Sequence, residues 1–142
     1  MRALLDVNVL IALLDVDHVH HVQARTWLSA NVRAGWASCP ITQNGCVRVM
    51  SQPSYPGARP IGAVIERLAA ATATREHAFW PCDLSILDPE RIDHGRLHGP
   101  RQVTDLYLLA LAVQNGGRFA SFDRAIPISA VRGAKAKHLV LI

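Results

Sequence analysis

Apolar positions along the chain alternate between two patterns: short continuous runs, and longer stretches with helical spacing. Residues 2–5, RALL, predict a buried strand ending at Asp6. Val9, Leu10, Leu13 and Leu14 then recur as one face of a helix. A second helix is expected over residues 20–32, with Val22, Ala24, Trp27 and Leu28 turned inward and a stop near Gly35. WASCPI, at 36–41, predicts a second strand, and helical spacing resumes over 42–50.

The stretch SQPSYPGARP carries Pro53, Pro56, Gly57 and Pro60, which interrupt any regular element and predict a loop. IGAVIERLAAATAT predicts a further helix, HAFWP a third strand, DLSIL a helical turn and RIDHGRLHGPR a polar connection. In VTDLYLLALA, Leu106, Leu109 and Ala110 share a face with Val113, so a helix enters the core there. RFASFD and the terminal HLVLI supply a fourth and a fifth strand.

Strands separated by helix-length connections imply parallel pairing, because a parallel crossover needs that length of chain. The expected fold class is α/β: a three-layer α/β/α sandwich on a central, mainly parallel sheet, forming a single domain over residues 1–142. Half of the residues are hydrophobic, enough for a substantial core without staples. Only 18% are charged, so some apolar surface is expected to remain for a partner or a second copy.

A formal net charge of +4 favours a polyanionic partner. Cys39, Cys46 and Cys82 contain no C-x-x-C pair and leave one odd, which suits reduced thiols in a cytoplasm. The first apolar run is broken by Asp6 and Asn8 and falls short of the roughly twenty residues of a membrane span. The expectation is a soluble, cytoplasmic protein.

The acids give the chemistry. Asp6 ends the first strand, Asp123 the fourth, and Asp105 stands at the start of the helix between the third and fourth. Each alone reads as a cap or a dipole partner. In a parallel sheet all three fall at the carboxyl edge, where ligands bind at the switch in crossover direction. Two carboxylates about 4 Å apart repel by roughly 4 kcal/mol at an effective dielectric near 20, so such a cluster calls for a cation. Oxygen ligands without a thiolate point to Mg²⁺ or Mn²⁺, and a site of that kind hydrolyses phosphodiesters.

The D-x-N-V-L at residues 6–10, the T-D of Thr104 and Asp105 followed by LYLLALA, and the S-F-D at residues 121–123 resemble the PIN-domain ribonucleases, specifically the VapC toxins of bacterial toxin–antitoxin pairs. The resemblance covers nearly the whole chain. It implies that Asp6, Asp105 and Asp123 are the catalytic, metal-binding acids, that RNA is the substrate, and that a cognate antitoxin protein restrains the activity. One departure stands out: family members often carry a further acid after the second strand, where this chain has Gln43, Asn44 and Gly45. Gln43 or Asn44 could supply a neutral oxygen instead. Loss of that acid leaves open a weak or inactive PIN-like module that binds RNA or a partner. A phosphatase of haloacid-dehalogenase type would need a second Asp where Asn8 stands.

Around the acids, Asn8 is read as orienting Asp6 or meeting substrate, with helix capping as the alternative. Thr104 and Ser121 are candidates to hydrogen-bond the carboxylates. Arg48, Arg96, Arg101 and Arg124 are the basic residues expected nearest the crevice, where Arg suits bidentate phosphate contacts. His94 and His98 could meet phosphate. Residues 132–137, RGAKAK, read as a solvated loop, and Trp27, Trp36 and Trp80 as core. The His18–His21 cluster lacks further ligands at zinc spacing and reads as a polar helix entry. A homodimer is expected, its two crevices joining their basic rims.

Overall fold

The computed structural model describes all 142 residues. β1 (Ala3–Leu5), β2 (Trp36–Ser38), β3 (His77–Phe79), β4 (Arg118–Ser121) and β5 (Leu139–Leu141) form one sheet in the order β3-β2-β1-β4-β5. Every neighbouring pair is parallel. β1 lies at the centre and its three residues are buried, as expected for a strand covered on both faces.

The chain winds outward from β1 to β2 and β3 through α1 (Val7–Leu14), α2 (His21–Asn31), α3 (Pro40–Met50) and α4 (Ile61–Thr72). It then returns through α5 (Val103–Gln114) to β4, on the other side of β1. Crossovers of constant hand put helices on opposite faces when the winding direction reverses. The core shows this partition. Ala3, Leu5 and Ala120 pack with α1, α3 and α4, and partly with Trp27 and Leu28 of α2. Leu4, Ala37 and Phe119 point the other way and pack with α5. The three-layer α/β/α arrangement follows.

α5 is apolar nearly all round: Leu106 and every residue from Leu108 to Ala112 are buried. A helix of this kind must be covered on its outer side too. Two irregular segments do so, contributing Leu84, Ile92, Ile126, Ala130 and Val131 to the same core. They meet at an isolated antiparallel bridge between Ile92 and Val131. The expected helical turn at DLSIL reduces to a single turn at Ile86 and Leu87, closed by the Asp88 N–H donating to Ser85 O at 3.2 Å; Leu84 enters the core from irregular chain, and Tyr107 of α5 holds it by donating its hydroxyl to Leu84 O at 2.7 Å.

Other elements differ in detail. WASCPI is a strand only as far as Ser38, because Pro40 opens α3 at its first position and Thr42 Oγ1 accepts from the Cys39 N–H at 3.0 Å. In α2 only Ala24 is fully buried, and Val22 is 75% exposed rather than inward. The 51–60 loop is irregular as expected but firmly anchored. Tyr55 donates to Oδ2 of Asp15, the buried residue that ends α1, at 2.5 Å, and Arg59 lies 4.0 Å from Asp15 Oδ1. Trp36 and Trp80 are core residues; Trp27 is part-exposed beneath the Arg118 guanidinium, 5.6 Å from the ring centre.

Candidate functional site

The sheet order reverses between β1 and β4, so the carboxyl ends of these two strands flank the switch point at which open parallel sheets bind ligands. Asp6 follows β1 directly and caps α1. Its N–H donates to Ala120 O at 3.0 Å, which continues the ladder and fixes the residue beside β4. Oδ1 accepts from the Val7 N–H at 2.7 Å, and Oδ2 accepts from Ser121 Oγ at 2.6 Å. Burial pushes the Asp6 carboxyl above the usual carboxylate range, with the charge of Asp123 adding to it, while the bonds from Ser121 and Val7 work the other way.

Asp123 lies two residues beyond β4 rather than at its end, and is exposed. Its N–H donates to Ser121 Oγ at 3.0 Å, and its Oδ1 accepts from the Ala125 N–H at 2.8 Å. One buried hydroxyl thus joins two of the acids: Ser121 accepts from the Asp123 backbone and donates to the Asp6 carboxylate. Asp105 is in the first turn of α5, part-buried. Its pKa is pushed up to about 6, by burial first, then by the charges of Asp6 and Asp123 and the nearness of the Asp123 carboxyl.

Asp105 and Asp123 open on a cleft of about 500 Å³ whose other lining includes His98, Arg101, Gln102 and Ala125. Asp6 does not line it. None of the three acids has an ion-pair partner; the salt bridges of the chain join Arg59 to Asp15, Arg75 to Glu76 and Arg96 to Asp93. The donor set is carboxylate oxygen alone, suited to a hard divalent cation. The three acids do not close into a compact cage of ligands. Their fit to such an ion rests on oxygen chemistry and on mutual repulsion that no salt bridge relieves.

The remaining candidates are dispersed. Asn8 is exposed at the second position of α1. Thr104 is exposed and, unlike Ser121, holds no carboxylate. Arg124 is exposed beside Asp123 in sequence and does not line the cleft. Arg96 pairs with Asp93 at 3.2 Å, and His94 Nε2 meets Ile86 O at 2.7 Å. Arg48 and Asn44 line a different groove, between α3 and α4. Gln43 is turned to the sheet, where its Nε2 donates to Ser38 Oγ at 2.9 Å. The structure therefore brings neither Gln43 nor Asn44 to the acids.

Of the three α3 positions at which a further acid was sought, Gly45 is the one that packs on α1. A Cβ there would lie 2.7 Å from Val7 Cγ2, inside contact distance. Sequence reading passed over this pairing, and passed over Gln102 in the cleft. The available signal was spacing: Gln102 precedes Asp105 by three residues, and so shares its side of a continuing helical turn.

Residues 3–132 match the PIN domain family. The chain is 58% identical over 142 residues to Ribonuclease VapC44 of Mycobacterium tuberculosis (strain ATCC 25618 / H37Rv), covering 100% of both sequences. It is 43% identical over 134 residues to Ribonuclease VapC39 of the same strain, spanning 94% of this chain and 96% of that one. With Ribonuclease VapC38 of that strain it shares 42% identity over 125 residues, 87% of this chain and 86% of the relative. A parallel sheet with acids gathered at its switch point, and matches of this extent, lead to one conclusion: the chain belongs to the PIN-domain family, among the VapC proteins.

Proposed function

We propose that the protein is a metal-dependent endoribonuclease, the toxin of a toxin–antitoxin pair, working as one domain in the cytoplasm. The observation that carries the reading is the convergence of Asp6, Asp105 and Asp123 at the β1/β4 switch point with no salt bridge to any of them. The names of the VapC relatives as ribonucleases support it. No helix is long and apolar enough to cross a membrane.

Asp6, Asp105 and Asp123 would hold Mg²⁺ or Mn²⁺. Such an ion, when bound, supplies charge stabilisation at the phosphodiester and eases deprotonation of water. The chain's own groups do the rest. Ser121 fixes Asp6 from Oδ2 and the Asp123 backbone from its N–H, so two acids keep their spacing as substrate enters. Asp105 or Asp123, which face the cleft, would accept the proton that the attacking water sheds. Asn8 and Thr104, both exposed near acids in sequence, are left to contact RNA, with Arg124 on the outer rim.

The proposed partners are RNA, a cognate antitoxin and a second copy of this chain. The antitoxin would place a basic side chain, most simply an Arg, among the three acids, which supplies counter-charge and blocks substrate together. A second reading, a binding module with catalysis weakened, draws on one observation: neither Gln43 nor Asn44 is brought to the acids, and a side chain at Gly45 would meet Val7.

The test is incubation of the purified protein with total RNA in Mg²⁺, Mn²⁺ or EDTA, followed by sequencing of the new 5′ ends. Recurrent cuts that need the divalent ion, and that Asp123→Asn abolishes, are expected. Absence of ion-dependent cuts from the wild-type chain would overturn the proposal in favour of the binding module.

A further inference from the structure

The acidic cleft has a second wall of opposite character. Residues 98–102 turn into α5 through a short 3₁₀ segment, Pro100–Gln102, and present His98, Arg101 and Gln102 to the space that Asp105 and Asp123 face. The turn is held by its own bonds. Gln102 Oε1 accepts from the His98 N–H at 3.3 Å, and the Gln102 N–H donates to Gly99 O at 3.2 Å.

Arg101 precedes Asp105 by four residues on a continuing helical path, the spacing at which an Arg and an Asp ordinarily pair. They do not pair: Arg101 belongs to none of the chain's salt bridges. A guanidinium that shares a cleft with two carboxylates yet pairs with neither leaves both charges available. The acids suit a cation, and the planar fork of Arg101 suits two oxygens of a phosphate. A cleft of about 500 Å³ also lies within the size of pockets that hold one nucleotide-sized group.

We propose that Arg101, with His98 beside it and Gln102 holding the turn, seats a backbone phosphate of single-stranded RNA next to the reacting phosphodiester. The inference rests on the ribonuclease reading and names how its substrate is held. Arg101 is then a substrate-binding residue, and Gln102 a positioning residue that acts through the turn. The other arginines are spoken for or elsewhere: Arg96 pairs with Asp93, Arg48 lines the α3–α4 groove, and Arg124 is absent from the cleft lining.

Binding and cleavage test it separately. A fluorescein-labelled oligouridine is titrated with the full chain in EDTA at several salt concentrations, so that anisotropy reports binding without cutting. Each phosphate neutralised on a single strand contributes about 0.7 to the slope of log K against log salt. Arg101→Ala should lower that slope by about 0.7 and weaken binding several-fold. Arg101→Lys should keep the slope while binding less tightly than wild type, because an ammonium is a point charge without the fork. Arg75→Ala, in an exposed pair with Glu76, is the control and should match wild type.

In Mg²⁺ the loss for Arg101→Ala should fall on KM more than on kcat. A slope and affinity unchanged by Arg101→Ala, in a chain that binds and cuts RNA, overturn the phosphate seat and leave the ribonuclease reading standing. An Arg101-dependent slope in a chain that never cuts supports the seat and overturns the ribonuclease reading. Failure of the wild-type chain to bind the oligonucleotide overturns both.

Discussion

Replacing Asp105 by Asn removes a titrating group that folding places beside two other carboxylates. Its pKa moves from 3.8 to about 6, a shift of about 2 units, or about 3 kcal/mol between protonation states. Solvent reaches roughly half of the group, and screening reduces the usable figure to about 1 kcal/mol. The folded pKa lies above the unfolded one, so the folded state holds a proton between these values that the unfolded chain has released. Stability from this source is full below 3.8 and lost as pH rises through about 6. The raised pKa of Asp6, mainly from burial, acts in the same direction. His18, His77 and His138, each lowered chiefly by burial, act oppositely, because protonating them in acid costs the folded state.

The wild-type trend is therefore a sum of opposed contributions, and only its difference from Asp105→Asn isolates the acid. Circular dichroism melts of both chains in EDTA, at about pH 5 and about pH 7.5, give that difference. Acidification to about pH 5 recovers about half of the Asp105 contribution, so the wild-type Tm should gain about 1–2 °C relative to the variant. Identical pH responses in the two chains would refute the view that the acids burden one another.

Ser121→Ala removes the hydroxyl that fixes Asp6, and should weaken Mg²⁺ or Mn²⁺ binding by about 10- to 100-fold in calorimetric titration; wild-type affinity would show that the link is incidental. Tyr55→Phe leaves the buried Asp15 carboxylate short of a bond and should cost about 1.5–3 kcal/mol in urea unfolding at neutral pH. Burial raises the Asp15 pKa, but the bonds from Tyr55 and Asp17 and the charges of Arg59 and His18 outweigh it, so the net shift is downward. The cost of Tyr55→Phe should accordingly fade as pH falls below 3.8; a penalty that persists in acid would place its origin in packing. Asn44→Glu should leave Mn²⁺ affinity unchanged, since Asn44 faces the α3–α4 groove; tighter binding would mean that this groove communicates with the acids.

The sheet was legible because its strands are short apolar runs bounded by acids, Gly and Pro, with helix-length intervals between them. Asp6 and Asp105 could be placed from sequence because each adjoins such a boundary. The covering of α5 could not. Leu84, Ile92 and Val131 are isolated apolar residues in polar, irregular chain, and only a helix buried on all sides explains their burial. Val22 misled because an apolar residue at helical spacing reads as inward, whereas α2 lies at the rim of the core and buries little. Of the 98–102 turn, Arg101 and His98 were expected beside the crevice and line it, whereas Gln102 was missed for a different reason. Its cleft is formed with residues beyond β4, more than twenty positions later in the chain, and no local pattern encodes that meeting.

The close approach of Gly45 to Val7 also bears on how this chain can change. Gly to Glu is a single substitution, yet a side chain at position 45 meets the stiff branched carbons of Val7. An acid can settle there only after Val7 has become smaller, and shrinking Val7 first opens a gap beside the buried start of α1 without any return in activity. The two steps are thus ordered, and the intermediate bears a cost in stability. Packing thus bars an acid at position 45 until Val7 has changed, and directs any added acid on α3 to another position.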